Sequence, residues 1–340
     1  MTNGDSELDV VICTFDNDLL LDRALGALAR QRGAPGPWNV LVVDNNSGPA
    51  TRDVIDRHIS RGDVPGLRRV AEPAQGLTQA RVRGVHSTTA PWIAFVDDDC
   101  LLGEDWVRGA IEFARSNPGC GAFGGRVVPT YAEVPPAFVA RYGWAFAEQD
   151  LGDGPAAVDC LVGAGMVVNR TALAECGWAA GPYFADRVGR RLVSGGDVEI
   201  ALRLAGTGRP LWYTPACELQ HLIPARRTEV AYLVRMTRGL GVSHSLARAL
   251  TWHGSRRAWL RAESNDLVGS LVSVIAAATR AVRGPESRRD ALLAASYEWG
   301  RCIGAARVAV LLSTGRCPFF GGDRPGGAQA GRRGHAVRAG

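Results

Sequence analysis

The 340-residue chain contains no lysine; all 39 of its basic residues are arginine. Without lysine it has no G-x-x-x-x-G-K-[ST] loop, and a P-loop ATPase is excluded. A G-x-G-x-x-G fingerprint is also missing where a dinucleotide-binding dehydrogenase would carry it, because Cys13–Asp18 holds no glycine. The eight cysteines (13, 100, 120, 160, 176, 217, 302 and 317) form no C-x-x-C and no framework spacing. They read as mostly reduced core residues of a cytosolic protein. No run of eighteen uncharged apolar residues occurs, so no membrane-spanning helix is expected. Met1–Asp9 is polar and acidic, unlike a secretory signal.

What is present is ordinary in bulk: 46% hydrophobic and 21% charged residues, in a length that suits one large domain or two modest ones. The absence of lysine beside abundant Ala and Gly looks like codon bias, so the arginine total carries little weight. Its distribution says more. Residues 1–224 carry 20 Arg against 27 acids, and residues 225–340 carry 19 Arg against 7. The second part, at a net +12, is suited to an anionic partner or simply to a solvated basic face.

Apolar runs and helical stripes alternate over the first hundred residues. Leu8–Cys13, Asn39–Val43, Leu67–Val70 and Trp92–Val96 read as strands. Asp18 onward, Ala50–Ser60 and Gly76–His86 read as the helices between them. This alternation predicts an α/β fold with a mostly parallel, doubly wound sheet. Three of the strands end in polar residues, Thr14/Asp16, Asp44/Asn45 and Asp97–Asp99, which places one polar rim along the carboxyl edge of the sheet. Three adjacent carboxylates repel one another unless a cation relieves them, and a hard divalent ion with oxygen ligands fits. An acidic turn capping the next helix explains the same residues equally well on local grounds. Further on, residues 121–130 and Cys160–Asn169 read as strands, with an irregular, aromatic-rich stretch from Tyr131 to Asp159 between them. Asp197, at a loop running into a helix, reads as its N-cap, with Glu199 in the first turn.

The motifs Val11-Ile12-Cys13-Thr14-Phe15-Asp16, Val42-Val43-Asp44-Asn45-Asn46-Ser47, Gly76-Leu77-Thr78-Gln79-Ala80-Arg81 and Phe95-Val96-Asp97-Asp98-Asp99 occur in this order. Together they resemble an inverting glycosyltransferase of family 2, with a GT-A-type fold, over about residues 8–240. The resemblance implies nucleotide contacts from Thr14, Asp16, Asp44, Arg81 and Asp97. It implies a divalent metal, Mn or Mg, on Asp97, Asp99 and His221, and diphosphate contacts from Arg226 and Arg227. Gly163, Ala164, Gly165 and Glu199 are the implied sugar or acceptor contacts. Ser194-Gly195-Gly196-Asp197-Val198-Glu199 resembles the family's G-E-D-x-E motif, which makes Asp197 the general base; Gly196 stands where Glu is common. Val82 likewise replaces an Asn that the family often has after the equivalent of Arg81.

The expected activity is therefore transfer of a hexosyl group from a UDP- or GDP-linked sugar to a hydroxyl of a glycan, lipid-linked or small-molecule acceptor. A nucleotidyltransferase and a catalytically inactive binding protein on the same fold are the alternatives, and no nucleic-acid partner is expected. The expected organisation is a catalytic domain over 1–225, a basic helical extension over 226–313 and a disordered Gly/Arg-rich tail over 314–340. Basic helices in the extension predict a cytoplasmic protein that docks peripherally on an anionic membrane surface, or a helical cap or dimer contact.

Overall fold

The computed structural model describes residues 6–184, 195–280 and 284–314. The first part follows the expected alternation: β1 (Leu8–Thr14), α1 (Asp18–Ala29), β2 (Trp38–Asp44), α2 (Pro49–Arg61), β3 (Arg68–Ala71), α3 (Leu77–His86) and β4 (Trp92–Asp97). β1, β2 and β4 are buried nearly throughout, as strands covered on both faces require. α1 lays Leu21, Leu25 and Leu28 against the sheet, while Leu19 faces solvent.

The chain continues through β5 (Cys100–Leu102), α4 (Trp106–Ser116), β6 (Ala122–Gly124) and β7 (Val127–Tyr131). A kinked 3-10 segment (Ala137–Phe146) leads to β8 (Ala156–Val158), β9 (Met166–Asn169) and α5 (Arg170–Glu175). After these come α6 (Gly196–Ala205), β10 (Leu211–Tyr213), β11 (Leu219–Ile223), α7 (Val230–Leu250), α8 (Arg256–Arg280) and α9 (Pro285–Ser313).

Two predicted strands are corrected here. Residues 121–130 form two strands, not one. The partner of the chain changes between them, since Gly124 O accepts from Thr214 N–H while Arg126 O accepts from Leu219 N–H, on either side of the loop between β10 and β11. Of Cys160–Asn169, only Met166–Asn169 is extended. Gly165 ends the preceding loop at φ +72°, a left-handed conformation that a strand cannot continue. The helix-capping explanation of Asp97–Asp99 also fails, because β5 intervenes before α4 begins at Trp106.

Among the described residues, eight strands form the main sheet in the order β3-β2-β1-β4-β9-β6-β10-β8. β1 to β4, β6 and β10 run one way, and β9 and β8 oppose them. A smaller sheet, β5-β11-β7, sits beyond the end of β4. α7 and α9 pack along each other and α8 lies against α9. Val242, Leu246, Trp259 and Val308 form their shared core. Residues 315–340, nearly all of the expected tail, lie outside the described residues.

Candidate active site

Sheet register brings the polar strand ends together. Thr14 stands opposite Asp44, and Cys13 opposite Asp97. β1 is also where the strand order reverses, from β3-β2-β1 to β4, so a crevice is expected outside its carboxyl end. A cleft of about 230 Å³ opens there, walled by Thr14–Asn17, Asn45, the start of α3, Asp97–Asp99, Arg226 and Arg227.

The three aspartates do different work. Asp98 accepts hydrogen bonds from Thr14 Oγ1 at 2.7 Å and Asn17 Nδ2 at 2.8 Å, which tie the end of β1 to the end of β4. Burial, and then the charge of Asp99, push its pKa up to about 7 against these two bonds. Asp97 is part-exposed, with Arg81 Nη2 3.4 Å behind it. Asp99 is buried, and Arg227 Nη1 donates to its Oδ2 at 2.7 Å.

His221 reaches Asp99 through the small sheet. β11 pairs antiparallel with β5, so that His221 faces Cys100 across the strands and Leu222 N–H donates to Asp99 O at 2.8 Å. His221 Nδ1 lies 2.7 Å from Phe146 O, a carbonyl that can only accept, so Nδ1 carries the proton. Nε2 is thereby turned toward Asp99, 3.5 Å away. Burial, the largest single influence, lowers the His221 pKa, but the charge of Asp99 and the hydrogen bonds to Asp99 and Phe146 O together outweigh it, and the net shift is upward.

One group of metal-capable side chains occurs among the described residues: Asp97, Asp99 and Cys100, whose ligand atoms lie within 4.8 Å of one another. Burial, followed by Asp99, drives the Cys100 thiol well above its ordinary pKa, and sulfur suits a soft metal better than a hard one. The two carboxylates, with His221 Nε2 beside them, suit a hard divalent cation. The bond from His221 to Phe146 O is the kind of support that fixes the tautomer of a ligating histidine.

Other predicted residues stand one step back. Asp44 is buried at the end of β2, where it accepts from Ser47 N–H at 2.9 Å and pairs with Arg69 at 3.3 Å; it does not line the cleft. Arg81 is buried over the Phe95 ring, 5.8 Å from its centroid, and meets the cleft-lining Asp97 at 3.4 Å. Asp16 lines the cleft, with its carboxylate held by Gly48 N–H at 2.7 Å. Arg226 is exposed at the cleft and has no ion pair among the described residues.

Asp197 approaches from the other side of β4. β9 runs antiparallel to β4 with Met166 opposite Phe95, so the loop that precedes β9 lies at the carboxyl end of β4. Gly163 N–H in that loop donates to Asp197 Oδ2 at 3.0 Å. Only glycine fits there, since a Cβ would lie 2.6 Å from the Asp197 carboxylate. Ala164 and Gly165 are buried. Glu199 does not fit its predicted role as an acceptor contact. It is fully buried, accepting from Tyr183 N–H and Phe184 N–H and pairing with Arg203 Nη1 at 2.9 Å. Sequence reasoning placed Asn45 on the polar rim without a role and passed over Asn17 and Gln75, of which Asn17, three residues past Thr14, was the more accessible to it.

The family model described as glycosyl transferase family 2 matches residues 9–175, a span that begins in β1 and carries all three aspartates. Over this span the chain is similar to glycosyl transferase family 2. A validoxylamine A glucosyltransferase of Streptomyces hygroscopicus subsp. limoneus is 39% identical over 106 residues, 31% of this chain and 23% of that protein. This chain thus matches less than a quarter of that relative's length. The succinoglycan biosynthesis protein ExoM of Rhizobium meliloti is 24% identical over 76% of this chain and 81% of its own. Among solved structures, the mannosyltransferase PcManGT from Pyrobaculum calidifontis, in complex with GDP-Man and Mn2+, superposes with a TM-score of 0.53 at 18% identity. The match covers 92% of this chain and 76% of that one, and it shows a shared GT-A fold. No described helix is long and apolar enough to cross a membrane.

Proposed function

We propose that the protein transfers a hexosyl group, with inversion, from a nucleoside diphosphate sugar to an acceptor hydroxyl, in a reaction that depends on Mn or Mg. The observation that carries this reading is the seating of buried His221 on Asp99, which lines the strand-end cleft. The carboxylates of Asp97 and Asp99 stand within 4.8 Å of each other, and an imidazole with a fixed tautomer reaches Asp99 from a separate part of the chain. Asp97, Asp99 and His221 Nε2 would hold the divalent ion, which neutralises a leaving diphosphate when bound. Arg226 is free to meet diphosphate oxygens, where a guanidinium fork suits them. Thr14 and Asp16 wall the nucleoside end of the cleft. Asp44 and Arg81 support that end from behind, through the loop at Ser47 and through Asp97.

Asp197 takes the proton of the attacking hydroxyl, because bond formation at the sugar carbon requires that proton to leave. The hydrogen bond from Gly163 holds the carboxylate in place. A GDP-mannose complex of PcManGT supports a nucleotide-linked donor. The catalytic domain is assigned to 1–225 and the helical region to 226–313. Seven unpaired thiols among the described residues suit a cytoplasmic setting.

A panel of UDP- and GDP-linked sugars tests the reading, by measuring nucleoside diphosphate release with and without a chelator. Release that a chelator stops and Mn or Mg restores is the expected result. Pyrophosphate release from a nucleoside triphosphate and a sugar 1-phosphate, with no sugar-nucleotide turnover, would assign a nucleotidyltransferase instead.

A further inference from the structure

We propose that the outward face of α8 docks the protein on an anionic lipid bilayer. The inference rests on the surface of this helix alone and stands or falls apart from the proposed transfer reaction. α8 is built with its polarity reversed. Its inward side carries polar groups: Glu263 is buried and accepts from Ser245 Oγ at 2.7 Å, and buried Ser270 accepts from Arg301 Nη1 at 2.6 Å. Its outward side is apolar. Val268, Leu271, Val272 and Ile275 are 64%, 60%, 63% and 55% exposed. The spacing i, i+3, i+4, i+7 makes them one continuous ridge. Scattered exposed apolar residues are normal, but a contiguous ridge of large ones marks a surface made to be covered.

Charge identifies what covers it. Arg257 and Arg261 are exposed and fall on the same side of the helix, two to three turns before the ridge. No carboxylate shares that side: Glu263 points inward, and Asp266 pairs with Arg248 of α7. The chain from residue 225 onward is strongly basic, with 19 Arg against 7 acids. A second copy of this face would bring arginines against an apolar ridge with no acid to meet them, because a two-fold contact is made of the same patch twice. An anionic bilayer satisfies both parts, taking the ridge into the acyl boundary and the guanidinium groups at the headgroups. No described helix can span, so the contact lies in the plane of the interface.

Sedimentation of the full chain with vesicles of one-third phosphatidylglycerol in phosphatidylcholine provides the test. Binding to these vesicles, weakened by salt and absent on phosphatidylcholine alone, is the expected result. The double variant Leu271→Gln/Ile275→Gln should lower vesicle affinity roughly tenfold or more while sugar-nucleotide turnover in solution is unchanged. Arg257→Gln/Arg261→Gln should remove the salt-sensitive part and leave the fold intact. The proposal is overturned if the protein ignores the anionic vesicles or if the Leu271/Ile275 variant binds them as the parent does. It is equally overturned if light scattering shows a dimer that this variant converts to a monomer.

Discussion

The sheet rim and the C-terminal helices place polarity in opposite ways. At the rim, apolar strands run through the interior and charge gathers at their ends, where Asp97, Asp99 and Arg227 face a cleft and buried His221 backs Asp99. In the helices, Glu263 and Arg301 are buried while Val268, Leu271, Val272 and Ile275 face outward. Buried charge is costly unless it is paired, and both regions pair it. The difference lies in what is left over. The rim leaves two carboxylates grouped for a cation, one of them backed by an imidazole, which is a site for chemistry. The helices leave an apolar ridge with no acid near it, which is a site for attachment. One chain thus carries two functional surfaces that separate variants can remove independently.

The largest expected effect tests that independence. Asp197→Asn removes the base and keeps its shape, so kcat should fall by about 10²–10⁴-fold while donor affinity and vesicle binding stay near the parent values. A loss of sugar-nucleotide affinity in this variant would instead place Asp197 in the donor site. Glu263→Ala is the counterpart among the helices. It removes the buried carboxylate partner of Ser245 and Arg248, which keep Arg301 O and Asp266 respectively, at about 1–3 kcal/mol of stability by urea unfolding. A cost near zero would mean that the polar inward side of α8 contributes nothing to its packing.

Much of the rim is legible in the sequence because parallel strands buried on both faces appear as continuous apolar runs, and β1, β2 and β4 are such runs. Their ends can then be located to within a residue, and the aspartates with them. The small sheet is not legible in the same way. Cys100–Leu102 is too short for periodicity to show, and its partner β11 is remote in the chain. The seating of His221 on Asp99 follows from that pairing, so sequence alone reaches it only through the family resemblance. Glu199 shows the converse error. A first-turn acid is favoured at any helix N-terminus, and nothing local reveals that two backbone N–H groups and Arg203 will enclose it. For α8 the sequence shows an apolar stretch broken by Ser270 and Ser273, and only packing decides which side turns inward.

His221→Gln tests the metal reading at the next scale. Glutamine cannot present a nitrogen lone pair held by Phe146 O, so divalent-ion affinity should fall by roughly 10–100-fold, read by titration of Mn against turnover. An unchanged metal dependence would make His221 a partner of Asp99 alone and confine the cation to the carboxylates.

Thr14→Val should give the smallest effect, and it separates the clamp from the contact. The Thr14 hydroxyl donates to Asp98 at 2.7 Å, and Asn17 still holds the other oxygen after the substitution. Loss of one such bond costs about 1 kcal/mol, which chemical denaturation can read. If Thr14 serves mainly to join β1 to β4, the variant loses stability and keeps its donor affinity. If the hydroxyl also meets the nucleoside, the apparent donor affinity falls as well, and the two losses part when the Asn17→Ala variant is measured beside it. Asn17→Ala removes the second bond to the same carboxylate without touching Thr14. A matched loss of donor affinity in both variants would therefore assign the effect to the position of Asp98, and a loss confined to Thr14→Val would assign it to direct contact.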